Sequence, residues 1–439
     1  MKREMKHSGV AWIGEIPEHW SVKKLKFSCK IFGRIGFRGY TADDLVDESE
    51  GAITLSPINM NNFNLDFSKC SYLSWNKYYE SPEIMVEIGD VLLVKTASVG
   101  KCSYVDYLPK ETTVNPQILV LKEHNDYSKF IAYLFHTSIG KAYIDTTKGG
   151  STIYTISQEK IENYEFAFPP IEEQQKIAEF LDRKCGEIDV MISLQEKVIE
   201  ELKAYKQSII TEAVTKGLNP NVAMRDSEIL FIDKIPKHWE ETKTLRLLSM
   251  PITDGPHETP EGLDYGIPFI SADAVSDNYI NFDNKWGYIS QEYYKECCKK
   301  YTPQKYDIYM IKSGASTGRT AIVETDEIFT IWSPLAVFRA NTNIILSYFL
   351  LYVLRSDYYQ KQVENKWSFG TQQNIGMRVL EKLLISYPSI EEQKEIAEFL
   401  DRKCNEIDRL IEIKGRKIEE LKEYKKSLIY EYVTGKKEI

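Results

Sequence analysis

The sequence predicts a mixed α/β fold in which two globular domains alternate with two long helices, and the helices pair as an antiparallel coiled coil. Three observations predict this architecture. A 45-residue segment beginning at Ile171 recurs at Ile390 with 29 identical residues. Both copies space their apolar residues alternately by three and four, which is a helical heptad pattern. Short runs typical of strands fill the region before each copy.

The duplication divides the chain into four predicted segments. Residues 1–168 and 221–387 form the first and second globular domains. Residues 169–220 form the central helical segment, and residues 388–439 form the C-terminal one. A search for internal repeats therefore settles the organisation before any single motif is considered.

The repeat extends beyond the helices but weakens inside the globular domains. The pattern Ile-Pro-x-His-Trp occurs at Ile16 and at Ile235, again 219 positions apart. A looser match joins the segment from Gly89 with the segment from Tyr306, where the offset slips to 217–218. Two similar helices favour two similar partners, and two dissimilar domains favour two different targets. The alternative interpretation is that helices simply diverge slowly.

Each helical segment carries the signals of a helix start and a heptad seam. Prolines precede both helices, and a glutamate pair suits the positive end of the helix dipole. One chain with two such helices can bury both seams by packing them together. The seam residues are Leu181, Cys185, Ile188, Ile192, Ile199, Leu202, Ile209 and Ala213 in the first copy and Leu400, Cys404, Ile407, Ile411, Ile418, Leu421, Leu428 and Tyr432 in the second.

The globular segments show the mixture of elements expected of an α/β domain. Ile53–Leu55, Asp90–Val94 and Ile118–Leu121 are predicted as short strands. Lys129–Thr137 and Ser347–Ser356 are predicted as helices. Gly-Ser and Gly-Thr pairs before each long helix indicate turns.

Composition narrows the class of protein. The chain has 7 cysteines, an odd number without a CxxC pair, and only 6 histidines without a metal-ligand spacing, so we expect reduced thiols and no metal site. The N-terminus lacks the apolar core of a signal peptide, and the longest apolar run, 344–354, is too short to span a bilayer. These features predict a cytoplasmic location. The net charge of −9 argues against a nucleic-acid binder, but local charge is more informative.

Three groups of residues are candidates for contact with DNA, because basic side chains neutralise phosphates and Arg, Lys, Gln and Asn read base edges. From Trp20 to Gly39 there are six basic residues and no acidic ones: Lys23, Lys24, Lys26, Lys30, Arg34 and Arg38. The second group comprises Lys95, Thr96, Ser98 and Lys101, with counterparts Lys312, Ser313, Ser316 and Arg319. The third comprises Lys148, Ser151 and Thr152, with counterparts Lys366, Thr371, Gln372 and Gln373.

If the domains bind DNA, the helices have a second use as a ruler. A helix from about Glu187 to Lys216 has roughly 30 residues and spans about 45 Å. That length equals about 13 base pairs, so the helix pair would separate two half-sites on DNA. The alternative is a coiled coil used only for oligomerisation.

Signals for catalysis are incomplete. The run from Gly314 to Thr320 imitates a phosphate-binding loop but has three residues between its glycines and an arginine where the lysine belongs. Asn115-Pro116-Gln117 lacks the second proline and the aromatic residue of an amino-methyltransferase motif, and no Gly-rich S-adenosylmethionine loop accompanies it. We therefore expect no catalytic residues in this chain.

Taken together, these residues resemble the specificity subunits of Type I restriction–modification systems. The resemblance rests on the helix pattern Pro-x-x-Glu-Glu-Gln-x-x-Ile-Ala-x-Phe-Leu-Asp at Ile171 and Ile390, on the paired Ile-Pro-x-His-Trp motifs, and on the Gly-Asp-hydrophobic strand at Gly89. It covers essentially the whole chain. One departure is Tyr306, which stands where the pattern has glycine.

The resemblance implies a DNA-binding subunit with two target-recognition domains, each reading one half of a bipartite double-stranded site. It implies two methyltransferase subunits docked on the repeated helices and methylating adenine N6, and restriction subunits that can join them. S-adenosylmethionine, ATP and magnesium would bind those partners and not this chain. The alternatives are a protein-interaction scaffold, an enzyme with an unrecognised site and a stand-alone DNA-binding regulator.

Overall fold

A computed structural model describes residues 4–34, 39–149, 154–276, 279–369 and 373–439. The chain forms two compact units, Met1–Glu196 with Arg416–Ile439 and Lys197–Gly415. The boundary between the units passes through both long helices, so each globular domain folds with the first half of one helix and the second half of the other. The four-segment division of the sequence stays a prediction about domain boundaries.

The first unit contains fourteen short strands among its described residues. Most are edge hairpins or members of two four-stranded sheets. The strands are β1 Met5–His7, β2 Glu15–Pro17, β3 Ser21–Lys24, β4 Lys30–Gly33, β5 Leu45–Val46, β6 Gly51–Leu55, β7 Met60–Asn61, β8 Asn64–Leu65, β9 Ser71–Ser74, β10 Val91–Val94, β11 Cys102–Tyr104, β12 Thr112–Val114, β13 Ile118–Lys122 and β14 Glu165–Phe168.

Strand β10 is buried on both faces and organises the first unit. It lies inside the antiparallel sheet β11-β10-β13-β4. Val91 and Leu93 pack against the helices, whereas Leu92 and Val94 pack against the second sheet, β12-β6-β9-β5. Two-sided burial explains why this strand is uniformly apolar instead of alternating with polar residues.

Short helices pack on both sheets of the first unit. The helices are α1 Trp75–Tyr79, α2 Ser128–His136, α3 Ser138–Thr147 and α4 Gln158–Glu162. Buried aromatic residues of α2, including Phe130 and Phe135, share one core with the start of the long helix that follows. The predicted helix at residues 129–137 and the predicted strands are therefore confirmed.

The second unit repeats this arrangement with different side chains. Its strands are β15 Met224–Asp226, β16 Lys234–Pro236, β17 Glu240–Lys243, β18 Thr253–Asp254, β19 Ile267–Ile270, β20 Gly287–Ile289, β21 Ile308–Ile311, β22 Thr320–Ile322, β23 Thr330–Ile331, β24 Leu335–Phe338, β25 Ser368–Phe369, β26 Gln373–Asn374 and β27 Leu384–Tyr387. Its short helices are α6 Gln291–Cys298, α7 Ser347–Arg355, α8 Asp357–Glu364 and α9 Met377–Leu380.

The sheet order of the second unit shows which strands correspond. The sheet β18-β24-β21-β22 matches β4-β13-β10-β11 of the first unit. Ile308 and Met310 of β21 pack on the helical side, and Tyr309 and Ile311 pack towards β19 and β23. Both domains therefore have a central strand buried on both faces.

The long helices are continuous and longer than the predicted ruler. Helix α5 comprises Ile171–Lys216, 46 residues, and helix α10 comprises Ile390–Val433, 44 residues. At 1.5 Å per residue α5 is about 69 Å long. The ruler segment, taken from about Glu187, therefore covers only part of α5, which begins at Ile171 directly after the prolines, as the sequence predicted.

The two helices pair in antiparallel fashion within each unit. In the first unit, Phe180 contacts the ring of Tyr432, and Asp189 binds Lys425 at 2.6 Å. Because α5 numbers rise while α10 numbers fall, the helices run in opposite directions. The predicted antiparallel coiled coil is confirmed.

The second unit repeats the ion pair with the helices exchanged. Lys206 of α5 binds Asp408 of α10 at 2.6 Å, and each partner lies 219 positions from its counterpart in the first unit. The repeated sequence therefore encodes one contact that is used twice.

The most strongly repeated helix residues anchor each helix to its own domain. Glu173 accepts hydrogen bonds from His19 and Trp20, at 2.8 and 3.3 Å. Glu392 accepts from His238 and Trp239 at 2.9 and 3.2 Å. This contact explains the Ile-Pro-x-His-Trp motif.

Two more repeated polar residues have the same role. The Gln174 side chain accepts the N–H of Tyr127 at 2.9 Å, and Asp182 accepts the hydroxyl of Tyr133 at 2.7 Å. In the second unit Asp401 accepts the hydroxyl of Tyr352 at 2.6 Å. Part of the helix repetition thus reflects packing within the chain and not contact with a partner.

Two glycines in helices predict opposite effects of the same substitution. Gly186 of α5 has open space where a Cβ would lie, whereas a Cβ at Gly140 of α3 would meet the carbonyl oxygen of Leu134 at 2.6 Å. We expect Gly186→Ala to raise the free energy of unfolding by about 0.5–1 kcal/mol through helix propensity, and Gly140→Ala to lower it. Urea unfolding of both variants checks the pair, and destabilisation by Gly186→Ala would contradict the fold at α5.

Candidate nucleic-acid interface

The two candidate loops of the first domain lie side by side at the end of β10. The carbonyl oxygen of Lys95 accepts the N–H of Ile156 at 2.9 Å, and the N–H of Ala97 donates to the carbonyl oxygen of Tyr154 at 2.9 Å. The segment after Lys148 is thereby joined to the segment after β10 by main-chain hydrogen bonds.

The second domain joins its loops in the same way. The carbonyl oxygen of Lys312 accepts the N–H of Ile375 at 2.9 Å, and the N–H of Gly314 donates to the carbonyl oxygen of Gln373 at 3.0 Å. Sequence analysis proposed both loops separately in each domain, and the structure brings them together in both.

Side chains of the first loop pair differ in how strongly the protein engages them. Lys101 donates to the carbonyl oxygen of Pro57 at 2.9 Å, and Lys148 binds Asp145 at 2.6 Å. Ser98 is exposed, and the hydroxyl of Thr96 is half-buried. Among the described residues of this loop pair, the exposed polar side chains include Ser98, Tyr154 and Thr155.

The second loop pair presents a different set. Ser316 and Arg319 are exposed, and Ser313 and Gln373 are half-buried. Lys366 is exposed two residues after the end of α8. Arg38, Ser151, Thr152, Thr371 and Gln372 lie outside the residues that the structure describes.

A groove borders each loop pair. In the second unit it has a volume of about 560 Å³ and is lined by Ser316, Arg319 and the cationic residues Lys203, Lys206 and Arg355. Arg355 donates to the carbonyl oxygen of Thr320 at 3.0 Å, which points its charge at the loop.

A smaller groove borders the loop pair of the first unit. It has a volume of about 390 Å³, and Ser98, Lys101, His136 and Lys141 line it. Burial lowers the pKa of His136 to about 4, so this counterpart of Arg355 is uncharged at neutral pH. The two grooves therefore differ in charge at this equivalent position.

The basic stretch that begins at Lys23 does not form one patch. Lys23 binds Asp126 at 2.5 Å, and Lys30 forms an ion pair with Glu123. Lys24 is half-buried in β3, and Lys26 is exposed. The turn between β3 and β4 sends these lysines to different sheets, where carboxylates neutralise two of them.

Arg34 is a buried residue. It is only 4% exposed, and its guanidinium donates to the hydroxyl of Thr113 at 3.3 Å and to the carbonyl oxygen of Val114 at 3.4 Å. Its Cζ atom lies 5.2 Å from the ring centroid of Tyr40. These contacts fix the end of β4 against β12, and a DNA-binding role for the basic stretch stays a prediction.

The start of each central strand depends on a buried aspartate. Asp90 accepts the N–H of Glu87 at 2.8 Å, and Asp307 accepts the N–H of Gln304 at 2.8 Å. The residue before each aspartate has a positive φ, 99° for Gly89 and 70° for Tyr306. The second copy therefore keeps the turn although tyrosine replaces glycine there.

The two aspartates differ electrostatically. Arg339 binds Asp307 through two nitrogens at 2.7 Å. The described residues give Asp90 one cationic neighbour, the Lys122 ammonium at 3.6 Å. Burial raises the pKa of Asp90 to about 6. The carboxylate of Asp90 is therefore costly to ionise.

This difference predicts opposite effects of neutralisation. Because the folded pKa of Asp90 exceeds the unfolded value, the carboxyl favours folding at low pH, and that contribution is lost as the pH rises through about 6. We expect Asp90→Asn to raise the free energy of unfolding at pH 8 by about 1–2 kcal/mol, and by less at pH 4.5. Urea unfolding at both pH values measures it. Asp307→Asn is the control and should destabilise at pH 8. A larger gain for Asp90→Asn at pH 4.5 would contradict the account.

Sequence analysis missed a cluster of charges behind the second loop pair. Asp254 is fully buried, and Lys300, Lys312 and His257 surround its carboxylate. Burial by itself raises the pKa of Asp254, but the contacts with the two lysines outweigh it, and the pKa lies below its ordinary value. No spacing in the sequence indicates this cluster, because its members come from separate elements.

The described residues lack two kinds of feature, a membrane-spanning helix and a cluster of metal-binding side chains. None of their helices has a stretch long and apolar enough to cross a membrane. None of their His, Cys, Asp and Glu side chains group as three or more around a potential metal position.

Known proteins match this architecture. Curated relatives include two from Methanocaldococcus jannaschii: the Type I restriction enzyme MjaVIII specificity subunit, 26% identical over 81% of this chain and 80% of the relative, and the putative type I restriction enzyme MjaX specificity subunit, 26% identical over 97% and 95%. The Type I restriction enzyme EcoBI specificity subunit of Escherichia coli is 25% identical over 64% of this chain and 60% of the relative.

Solved structures agree on the fold. A chain from a study of assembly and conformational transition in the type I R-M system superposes with a TM-score of 0.70 at 16% identity, covering 95% of this chain and 98% of that one. The HsdS subunit from Thermoanaerobacter tengcongensis gives 0.50 at 15% identity, covering 96% and 98%. The family described as Type I restriction modification DNA specificity domain matches residues 39–204 and 257–423. The chain belongs to that family and carries its domain twice.

Proposed function

We propose that this chain reads DNA sequence for a Type I restriction–modification complex, with each domain contacting one half of a split target. The observation that carries this proposal is the loop pair. Both domains hold two loops together by equivalent main-chain hydrogen bonds at the end of an equivalent strand. The frame is shared, and the side chains on it differ.

That combination is what two readers of different sequences require. Base edges are distinguished by the hydrogen-bonding pattern of side chains, whereas the framework only has to hold them in register. The first domain offers Thr96, Ser98 and Lys101 where the second offers Ser313, Ser316 and Arg319. Two halves of unlike sequence follow from two loops of unlike chemistry.

Exchange of one domain tests this independence. We expect replacement of residues 20–160 by the corresponding domain of another family member to change only one half of the methylated motif, because each loop pair is held within its own unit. The measurement is the map of N6-methyladenine in cells that express the hybrid with its methyltransferase. A change in both halves, or a methylated motif identical to the original, would contradict separate reading.

The same helices offer a surface for two copies of one partner. In the first unit Met191, Leu194 and Tyr424 are exposed apolar residues of the helix pair. In the second unit Leu410, Ile413 and Tyr205 are exposed at the positions 219 residues away. Each unit therefore repeats the same apolar patch, and repetition by the internal duplication favours two identical partners.

The apolar patch lies on the flank of the helix pair that the globular domain does not cover. In the heptads defined by the buried seam, Met191 and Tyr424 share one flank of the antiparallel pair. Asp182 and Asp189 lie on the other flank, where Asp182 binds Tyr133 and Lys129 of the domain. The domain thus occupies one side of the helix pair, and the apolar patch lies on the opposite side.

We expect two methyltransferase subunits to dock on these patches through apolar helices. Exposed tyrosine and large aliphatic side chains are typical anchors of such an interface. Tyr205 is 58% exposed and Tyr424 is 56% exposed. Restriction subunits would join through that assembly.

Substitution of the repeated patch tests the docking proposal. Leu194→Glu should remove one of two methyltransferase copies, and Leu194→Glu with Ile413→Glu should remove both, because a charge would be buried without a partner. Native mass spectrometry of the co-expressed complex counts the copies. Val190→Glu is the matched control, since Val190 is also exposed but its counterpart is Arg409. Two retained copies in the double variant would contradict this site.

In this proposal the partner subunits carry out methyl transfer and DNA cleavage. The chain's loops can position DNA, but the methyl transfer would use S-adenosylmethionine on the methyltransferase, and cleavage would use ATP and magnesium on a restriction subunit. The rival reading as a protein-interaction scaffold predicts weak retention of DNA that does not depend on salt. Phosphate contacts predict retention that falls steeply with salt.

A further inference from the structure

Two lysines occupy the same place in the two domains. Lys95 and Lys312 each follow the central strand directly, and each N–H donates to the opposite strand, to the carbonyl oxygens of Gln117 and Pro334, at 2.8 Å in both cases. All of these positions differ by 217. Lys95 and Lys312 are therefore true structural counterparts at the base of the two loop pairs.

The surroundings of Lys312 neutralise its charge. Its ammonium lies 3.2 Å from a carboxylate oxygen of Asp254, a residue with no exposed surface. Asp254 pairs with Ala336 of β24. A lysine held by a buried carboxylate is fixed in place, and its charge is already compensated.

The first domain lacks that carboxylate. In its sheet Leu119, the counterpart of Ala336, pairs with Gly33. Gly33 thus stands where the second domain has Asp254. A Cβ added at Gly33 would lie 3.4 Å from the ammonium nitrogen of Lys95, so Lys95 lies beside a glycine where Lys312 lies beside a carboxylate.

Lys95 is consequently a half-buried cation that forms no ion pair with the described residues. Burial lowers the pKa of Lys95, which is the sign of a charge that has lost water without gaining a counter-charge. A protein retains such a group at a free-energy cost, and a bound anion or acceptor would offset that cost.

We propose that Lys95 is a DNA-binding residue of the first domain, donating to a phosphate oxygen or to the O6 and N7 atoms of a guanine, whereas Lys312 is a positioning residue. This proposal rests on the proposed function. The first domain has Gly33 where the second has Asp254. Lys95 therefore keeps an uncompensated charge, whereas the charge of Lys312 is neutralised.

The test adds the missing carboxylate without touching the lysine. Gly33→Asp should neutralise Lys95 as Asp254 neutralises Lys312, and Gly33→Ala is the matched control because it brings the same Cβ without charge. The Cβ also meets the end of the Leu119 side chain at 2.8 Å, a strain that both variants share. Lys95→Met is an independent variant that leaves Gly33 unchanged.

DNA affinity of the full complex with its methyltransferase is measured over a range of salt concentrations. We expect Gly33→Asp and Lys95→Met to weaken binding by on the order of tenfold, and Gly33→Ala to weaken it less than about threefold. A salt slope reduced by about one identifies a phosphate contact. An unchanged slope with one relaxed base in one half of the methylated motif identifies a guanine contact.

Failure of this inference differs from failure of the proposed function. If the unaltered complex shows neither salt-dependent DNA binding nor a methylated motif, the proposed function falls. If the unaltered complex binds DNA, and Gly33→Asp and Lys95→Met bind as tightly as Gly33→Ala, the role of Lys95 is overturned.

Discussion

Burial of the central strand on both faces is the constraint on which the rest of each domain depends. Val91 and Leu93 face the helices while Leu92 and Val94 face the second sheet, and β21 has the same division. Because both faces are packed, neighbours on each side hold the strand in place. The lysine that ends each strand, and the loops that follow, are therefore delivered to the same place in both domains.

The helices depend on a second set of contacts, which is polar. Glu173, Gln174 and Asp182 each bond to a group of the preceding domain, and the second copy preserves these bonds. A single repeated sequence thus fastens each helix to its domain on one flank and leaves an apolar patch on the other. The duplicated helix serves folding with one set of residues, and in the proposed complex another set of the same heptads would serve assembly.

Sequence patterns were sufficient for the architecture but not for the charges around the loops. The heptad seam and the offset of 219 predicted the helix pair, glycine pairs predicted the turns before the long helices, and polar and basic residues indicated the loop after each central strand. The sequence does not indicate the ion pair between Asp254 and Lys312, because these residues are 58 positions apart and lie on separate elements. The sequence also suggested that the basic stretch forms one patch. In the structure Lys23 and Lys30 lie in different sheets, where they bind Asp126 and Glu123.

The central claim is that one framework presents two different sets of side chains to two halves of one DNA site. The most direct measurement is the genomic map of N6-methyladenine in the source organism with this gene present and with it deleted. The account predicts that deletion removes methylation from a single motif made of two separated halves. Methylation that persists unchanged at every motif, while the chain still co-purifies with a methyltransferase, would contradict it.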